Sequence, residues 1–175
     1  TNSGGVKIGG LNFDNPRKHN LPSHMFINIL SDGETLVPLA VLEGSWITGM
    51  RTAAQMAVGV KHLAAKNASI ATLVGAGYES TFQIKALLEV MDCKTLYVND
   101  LVPERSAALC EKVKEELGAD VQPTENLKEA ISKSDVIILV TSADEPIIKY
   151  SWIKKGTLVC TLGVNQQCDY ETSKH

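Results

Sequence analysis

Ser69-Ile-Ala-Thr-Leu-Val-Gly-Ala-Gly-Tyr-Glu-Ser80 is the stretch from which the rest of the chain can be read. Its first half is a short apolar run with β-branched Ile70, Thr72 and Val74, which predicts a buried strand. Gly75 to Gly77 then turns the chain sharply into a helical pattern that begins near Glu79. Gly75 can take the backbone angles of a tight turn. Gly77 has no side chain to keep a pyrophosphate away from the amides at the helix N-terminus. Ser80 stands where such a fingerprint usually has its third glycine, and it is small enough to let helix and strand pack closely. A second strand is expected from Thr95 to Val98, ending in Asn99-Asp100. Asp100 lies near the roughly 20-residue distance at which an acidic side chain accepts hydrogen bonds from the adenosine ribose. Strand, glycine turn, helix (81–91), strand and acid form one mononucleotide-binding unit, and they predict a dinucleotide ligand.

After this unit, Pro103 opens a helix whose apolar face is Ala107, Leu109, Val113 and Leu117, with Gly118 as its stop. Val121 reads as a short strand and 126–132 as a short helix. Asp135 to Thr141 is almost continuously apolar, as a parallel strand covered on both faces must be. Gly156 precedes another buried strand, 157–162, that ends at Gly163, while 147–153 is ambiguous. Strands alternating with helices predict an α/β fold with a Rossmann-type doubly wound parallel sheet. Its ligand edge lies where the strands end, so Gly75, Asp100, Thr141 and Gly163 are expected to share one crevice.

Before the glycine strand the pattern changes. Residues 1–23 are rich in Gly, Asn and Pro, with Val6-Lys7-Ile8 as a short strand and 12–22 as an irregular loop. Met25 to Leu30 and Leu36 to Leu42 read as strands joined by a hairpin turn at Ser-Asp-Gly-Glu, 31–34. From Ser45, a plausible N-cap, to about Lys66 a helix is expected, with Ile47, Met50, Ala54, Val58 and Leu63 on its apolar face.

At 175 residues and 44% hydrophobic content the chain can bury one sizeable core, or one complete domain plus a piece of another. The second arrangement fits the change of pattern. A net charge of -3 carries no basic excess to suit a nucleic acid, and no run approaches the roughly 18 apolar residues of a membrane span. Cys93, Cys110, Cys160 and Cys168 lack metal-ligand spacing and read as reduced structural thiols of a cytoplasmic protein. His19, His24, His62 and His175 are scattered, and none is assigned to catalysis.

The order of these motifs resembles the ornithine cyclodeaminase and mu-crystallin family of nicotinamide-dependent enzymes. The features are Lys7, Asn15-Pro16, Leu21-Pro22-Ser23, Arg51-Thr52-Ala53-Ala54, Gly75-Ala76-Gly77, Asp100 and Val140-Thr141, in family order over nearly the whole chain. The resemblance implies part of a smaller α+β substrate and dimerisation domain at 1–45, a connecting helix at 46–66, and an NAD-binding Rossmann domain at 67–175. Family members are longer, so it also implies further segments at both ends. The chain alone is then expected to bind NAD weakly without turnover.

By the same resemblance Arg51 binds the substrate carboxylate near the nicotinamide, with Lys7 as its second cationic partner. An arginine fork grips a carboxylate through two hydrogen bonds and so fixes the α-carbon for hydride transfer. The cofactor contacts implied are Ser23, Arg51, Thr52, Gly75, Gly77, Tyr78, Glu79, Asp100, Thr141, Leu162 and Gly163. Two departures from the family pattern bear on the chemistry. Glu79 stands where Gln is common, and a carboxylate beside a pyrophosphate must point away or find a cation. Asn165 stands where cyclodeaminases proper carry an aspartate, and an amide can neither act as a general base nor hold an ammonium by charge. Asp169 could replace that aspartate only in a shifted loop. The implied activity is NAD(H)-dependent hydride transfer at the α-carbon of a small α-amino or α-imino acid, in a homodimer. The alternatives are ornithine cyclodeamination, which is a lyase reaction, and a nicotinamide-dependent ligand-binding role like that of mu-crystallin.

Overall fold

The structure is a computed structural model and describes residues 2–163 and 165–174. His175, weighed above, lies outside the described residues. The chain divides into two compact units, Thr1–Arg51 and Thr52–His175, and the division falls inside one helix.

The first unit is a three-stranded antiparallel sheet, β1 (Ser3–Leu11), β2 (His24–Asp32) and β3 (Pro38–Glu43), in that order. β1 runs for nine residues rather than the three expected, because β2 offers an unbroken partner from Leu11 opposite His24 to Ser3 opposite Asp32. The segment 12–22 is not wholly irregular, since one helical turn, α1 (Asn15–Lys18), opens on Pro16. The hairpin turn is longer than 31–34. Asp32 accepts hydrogen bonds from the amides of Glu34 (3.0 Å) and Thr35 (2.8 Å), and the chain leaves the turn through Leu36 at φ 59°.

Because strand side chains alternate, the sheet has two unlike faces. Val6, Ile8, Met25, Ile27, Ile29 and Val41 share one, which is apolar apart from Ser31 and Glu43 toward its ends. Lys7, His24, Phe26, Asn28 and Leu42 share the other.

Helix α2 (Ser45–Leu63) follows β3. Ser45 is not its N-cap. Glu43 takes that part, accepting from the amides of Ser45 (2.6 Å) and Trp46 (2.8 Å), while the Ser45 hydroxyl accepts from the Phe26 amide (3.1 Å). The apolar face assigned from the sequence is also the wrong one. Met50 and Val58 are 43% and 59% exposed, whereas Ala53, Met56, Ala57 and Val60 are buried. Outside a polar stripe of Thr48, Arg51, Thr52 and Gln55 the apolar residues cover a wide arc, so periodicity cannot choose a face within it. The side with more small residues can approach the core more closely.

The second unit is a five-stranded parallel sheet in the order β6-β5-β4-β7-β8. Its strands are β4 (Ile70–Val74), β5 (Thr95–Asn99), β6 (Val121–Pro123), β7 (Val136–Leu139) and β8 (Leu158–Thr161). Between them run α3 (Ser80–Val90), α4 (Pro103–Leu117) and α5 (Leu127–Lys133). Alternation divides the core between the two faces of the sheet. Ala71, Leu73, Val136 and Ile138 pack with Met56, Val60, Ile84, Leu87 and Val113, while Val74, Ile137 and Leu139 pack with Ile131 and Ile148. α4 ends as expected, with Gly118 in the left-handed region at φ 64°, and Asn126 caps α5 by accepting from the Glu129 amide. β8 is not a fully buried strand. It is one of the two edge strands among the described residues, with β6 at the other side, and Leu158 to Cys160 are half-buried.

The opposite end of the sheet is fastened by Asp135. One carboxylate oxygen accepts from the amides of Ser69 (2.9 Å) and Ile70 (3.0 Å), and the other lies 2.7 Å from the Lys154 ammonium. Burial pushes this carboxyl up, but Lys154 and the two amides outweigh it and hold the pKa below the usual carboxylate value. Stability from a depressed carboxylate is complete above the unfolded value of about 3.9 and is lost as pH falls through the folded one. Asp135→Asn is therefore expected to lower stability by about 1–2 kcal/mol at neutral pH. The deficit should shrink as pH falls through the folded-state value, where the wild-type carboxyl becomes protonated as well. Urea unfolding at neutral pH and across the acid range measures it, and a deficit that does not change with pH would rule out the charge as its source.

Candidate active site

The sheet order reverses at β4, because β5 and β6 lie to one side of it and β7 and β8 to the other. In an open parallel sheet such a reversal leaves a crevice beyond the C-terminal strand ends. The loops after β4 and β7 meet there. Gly75 has φ 106°, and a Cβ on it would lie 2.6 Å from the Val140 carbonyl oxygen and 3.0 Å from the Thr141 methyl group. Only glycine fits. Around Gly77, by contrast, a Cβ would meet nothing within 4 Å, so that backbone is open to a ligand. No side chain caps α3, and its first amide, that of Ser80, donates to the Gly77 carbonyl of this turn (3.2 Å). Ser80 is fully buried and donates to the Gly75 carbonyl (2.8 Å), so its hydroxyl fastens the turn where a glycine would merely fit.

Asp100 braces the same turn. Its carboxylate accepts from the Ala76 amide (2.8 Å) and from the Val102 amide (2.9 Å), and the Gly75 amide donates to the Asn99 carbonyl (2.8 Å). Leu101, next in sequence, is 97% exposed. Tyr78 packs against Phe82, and Glu79 is half-buried.

Across the sheet, Thr141 and Gly163 are joined by a residue that the sequence did not suggest. Gln167 is 1% exposed; its amide nitrogen donates to the Thr141 carbonyl (2.8 Å) and hydroxyl (2.9 Å), and its amide oxygen accepts from Gly163 (3.1 Å). Leu162 donates to the Leu139 carbonyl (2.8 Å). The turn at Gly75, Asp100, Thr141 and Gly163 is thus one connected edge. No periodic pattern could have marked Gln167, which lies in an irregular loop 26 residues from its partner.

Asn165 is exposed and donates to Asp144 (3.0 Å) and to the Ala143 carbonyl (3.3 Å). Asp169 lies in the same C-terminal segment. Its carboxylate is taken up by the amides of Tyr150 and Thr172 and by the Thr172 hydroxyl. Burial pushes the thiols of Cys110 and Cys160 up to about 11, which leaves them poor nucleophiles.

In the first unit, the Lys7 ammonium lies 3.3 Å from the Thr48 hydroxyl on α2 and 4.3 Å from the centre of the Phe26 ring. Arg51 is one helical turn beyond Thr48, so Lys7 and Arg51 reach neighbouring positions of the same helix. The Ser23 hydroxyl is 2.9 Å from His24 Nδ1, and Phe13 meets that imidazole edge-on. Burial, and then the Lys7 charge, lower the His24 pKa and keep the ring neutral at pH 7. Thr52 is half-buried, directly after Arg51.

No helix among the described residues is long and apolar enough to cross a membrane. Among proteins of known activity, the chain is 35% identical over 162 residues to N-((2S)-2-amino-2-carboxyethyl)-L-glutamate dehydrogenase of Staphylococcus aureus, covering 91% of this chain and 48% of that protein. Its fold matches Δ1-pyrroline-2-carboxylate reductase of Thermococcus litoralis, solved with NADH and L-proline, with TM-score 0.91 and 36% identity over 96% of this chain and 53% of the other. An archaeal alanine dehydrogenase dimer with bound NAD matches with TM-score 0.82 and 30% identity over 90% of this chain and 48% of the other. The chain spans about half the length of the curated relatives it matches. With residues 1–173 matching a single family, this chain belongs to the ornithine cyclodeaminase/mu-crystallin family.

Proposed function

We propose that the protein is an NAD(H)-dependent oxidoreductase acting on a small α-amino or α-imino acid by hydride transfer at the α-carbon. The observation that carries this reading is the Gly75 turn, closed to any side chain, braced by Asp100 and set against an uncapped helix N-terminus. In the proposal Gly75, Gly77 and the amides opening α3 hold the pyrophosphate, while Asp100 accepts from the adenosine ribose. Tyr78, Glu79, Thr141, Leu162 and Gly163 line the cofactor, as do Ser23, Arg51 and Thr52. Bound NAD(H) would supply the hydride acceptor or donor. Arg51 and Lys7 hold the substrate carboxylate and so fix the α-carbon. The relatives named above, a dehydrogenase of an amino acid and a reductase of a cyclic imino acid, support that substrate class.

Cyclodeamination is the weaker reading. Asn165 is an amide bonded to Asp144, and Asp169 is consumed in holding its own loop, so neither offers a free carboxylate. The test is NADH absorbance with the full-length protein and a panel of imino, keto and amino acids. Oxidation of NADH by cyclic or acyclic imines supports the proposal. Saturable ligand binding without turnover would replace it with a binding role.

We also infer a homodimer built on the apolar face of the first sheet. Val6, Ile8, Met25, Ile27 and Val41 are 46–69% exposed there, and Trp46, Met50 and Val58 of α2 add a second exposed apolar stripe. The dimer in the alanine dehydrogenase structure supports the dimeric state. Four free thiols suit a reducing, cytoplasmic setting.

Asp100 sets the cofactor preference, since a carboxylate accepts from ribose hydroxyls and repels a 2'-phosphate. Asp100→Ser is expected to weaken NAD about tenfold and to improve NADP relative to it. Part of the loss should come from the turn itself, where the Ala76 amide gives up its acceptor. Calorimetric titration with both nucleotides reads the result. Tighter binding of NADP than of NAD by the wild type would remove Asp100 from this role.

A further inference from the structure

Lys7 is gripped in a way that its own strand does not require. Its stem rises from β1 opposite Asn28, and its ammonium lies over the Phe26 ring at 4.3 Å and beside Thr48 Oγ1 at 3.3 Å. The Thr48 hydroxyl donates its one proton to the Gly44 carbonyl (2.7 Å), which leaves its oxygen lone pairs for the ammonium. Thr48 itself is 8% exposed, so this acceptor belongs to a packed wall.

Phe26 is fixed just as firmly. Its amide donates to the Ser45 hydroxyl (3.1 Å), and its carbonyl accepts from the Gly44 amide (2.8 Å). A Cβ on Gly44 would stand 2.9 Å from three Phe26 atoms, so the strand and the start of α2 touch here only because residue 44 is glycine. A lysine stem is long and loses much rotamer freedom when it is ordered. An aromatic face below and a committed hydroxyl beside it select one end position for that stem.

We propose that Thr48 and Phe26 are positioning residues for Lys7, holding its ammonium as the fixed second cation that receives the substrate carboxylate next to Arg51. The proposal rests on the reading of Lys7 as a substrate-binding residue. It explains why a point charge on a flexible stem can serve where geometry matters. Thr48 and Arg51 sit one turn apart on α2, so the hydroxyl that places the lysine and the guanidinium that shares its ligand are carried by one rigid element.

Steady-state kinetics of the full-length protein test this, with the imino or amino acid varied at saturating nucleotide and then the reverse. Thr48→Val keeps the shape and removes the acceptor; it is expected to raise the KM for the acid about tenfold while the KM for NAD(H) stays within twofold. Thr48→Ser, which restores the acceptor, should return to within about twofold of wild type. Phe26→Leu should raise the same KM about threefold, and it provides the test should Thr48→Val fail to fold. In a Lys7→Met background, Thr48→Val should add nothing further. Equal losses in the Val and Ser variants, or a full additional loss in the Lys7→Met background, would show that Thr48 merely supports the fold and would overturn the proposal. A damaged Lys7→Met enzyme alongside wild-type kinetics in Thr48→Val and Phe26→Leu would overturn it too, with the role of Lys7 intact. A Lys7→Met enzyme with unchanged kinetics would overturn both.

Discussion

Arg51→Lys in the full-length protein is expected to lower kcat/KM for the amino or imino acid about a hundredfold, the scale on which small misplacements of a reacting centre cost rate. The substitution keeps the positive charge. It loses the planar fork, and with it the second parallel hydrogen bond that stops a carboxylate from pivoting. Lys7 cannot make up the difference, because its ammonium is committed to one place by Thr48 and Phe26. Nucleotide affinity should change far less, since the Gly75 turn and Asp100 lie outside the substitution. Stopped-flow hydride transfer with a titration of NAD(H) separates the two effects. An Arg51→Lys protein with normal turnover and a normal Michaelis constant would remove Arg51 from the substrate site.

Gly75→Ala should be among the most damaging single-methyl changes in the second unit, because a strained backbone angle and a steric clash coincide there. At φ 106° an L-residue is strained by about 1–3 kcal/mol, and the added carbon would meet the Val140 carbonyl oxygen at 2.6 Å. That oxygen is backbone at the end of β7 and cannot swing aside. Relief has to come from the turn, which would move the Gly75 and Ala76 amides off the Asn99 carbonyl and the Asp100 carboxylate. Stability is expected to fall by about 3 kcal/mol, with at least a tenfold loss in NAD affinity. Urea unfolding and calorimetric titration report the two losses. A variant with the wild-type midpoint and the wild-type Kd would refute the tight-turn argument.

How far the sequence could be read depended on how many constraints acted on each stretch. β4, its turn and α3 were legible because burial on both faces, glycine geometry and helical spacing all act within a dozen residues. α2 was legible as a helix and illegible as a surface. Its apolar residues cover a wide arc, and which part of that arc faces the core depends on packing partners that lie outside the helix. Ser45 looked like a cap because serine commonly is one, but Glu43 reaches the same amides with two oxygens and frees Ser45 to bond β2. The candidate site divides in the same way. Gly75 and Asp100 belong to one local unit with known spacing. Gln167 joins residues across an irregular loop, and the Lys7 to Thr48 contact spans 41 positions, so neither leaves a periodic trace.

The two-faced sheet of the first unit has a consequence for how such a chain can evolve. Along β2, residues 25, 27 and 29 answer to the apolar surface, while 24, 26 and 28 answer to the lysine and its surroundings. Two selective histories are interleaved in one nine-residue strand. Point changes can drift separately in each, but a single insertion or deletion within the strand would exchange the two sets at once, turning His24 and Phe26 outward and Met25 and Ile27 onto Lys7. Length inside β2 should therefore be far more resistant to change than composition. Lineages that vary in size ought to do so in the bends at 12–22 and 33–37, where a gained residue leaves the alternation intact.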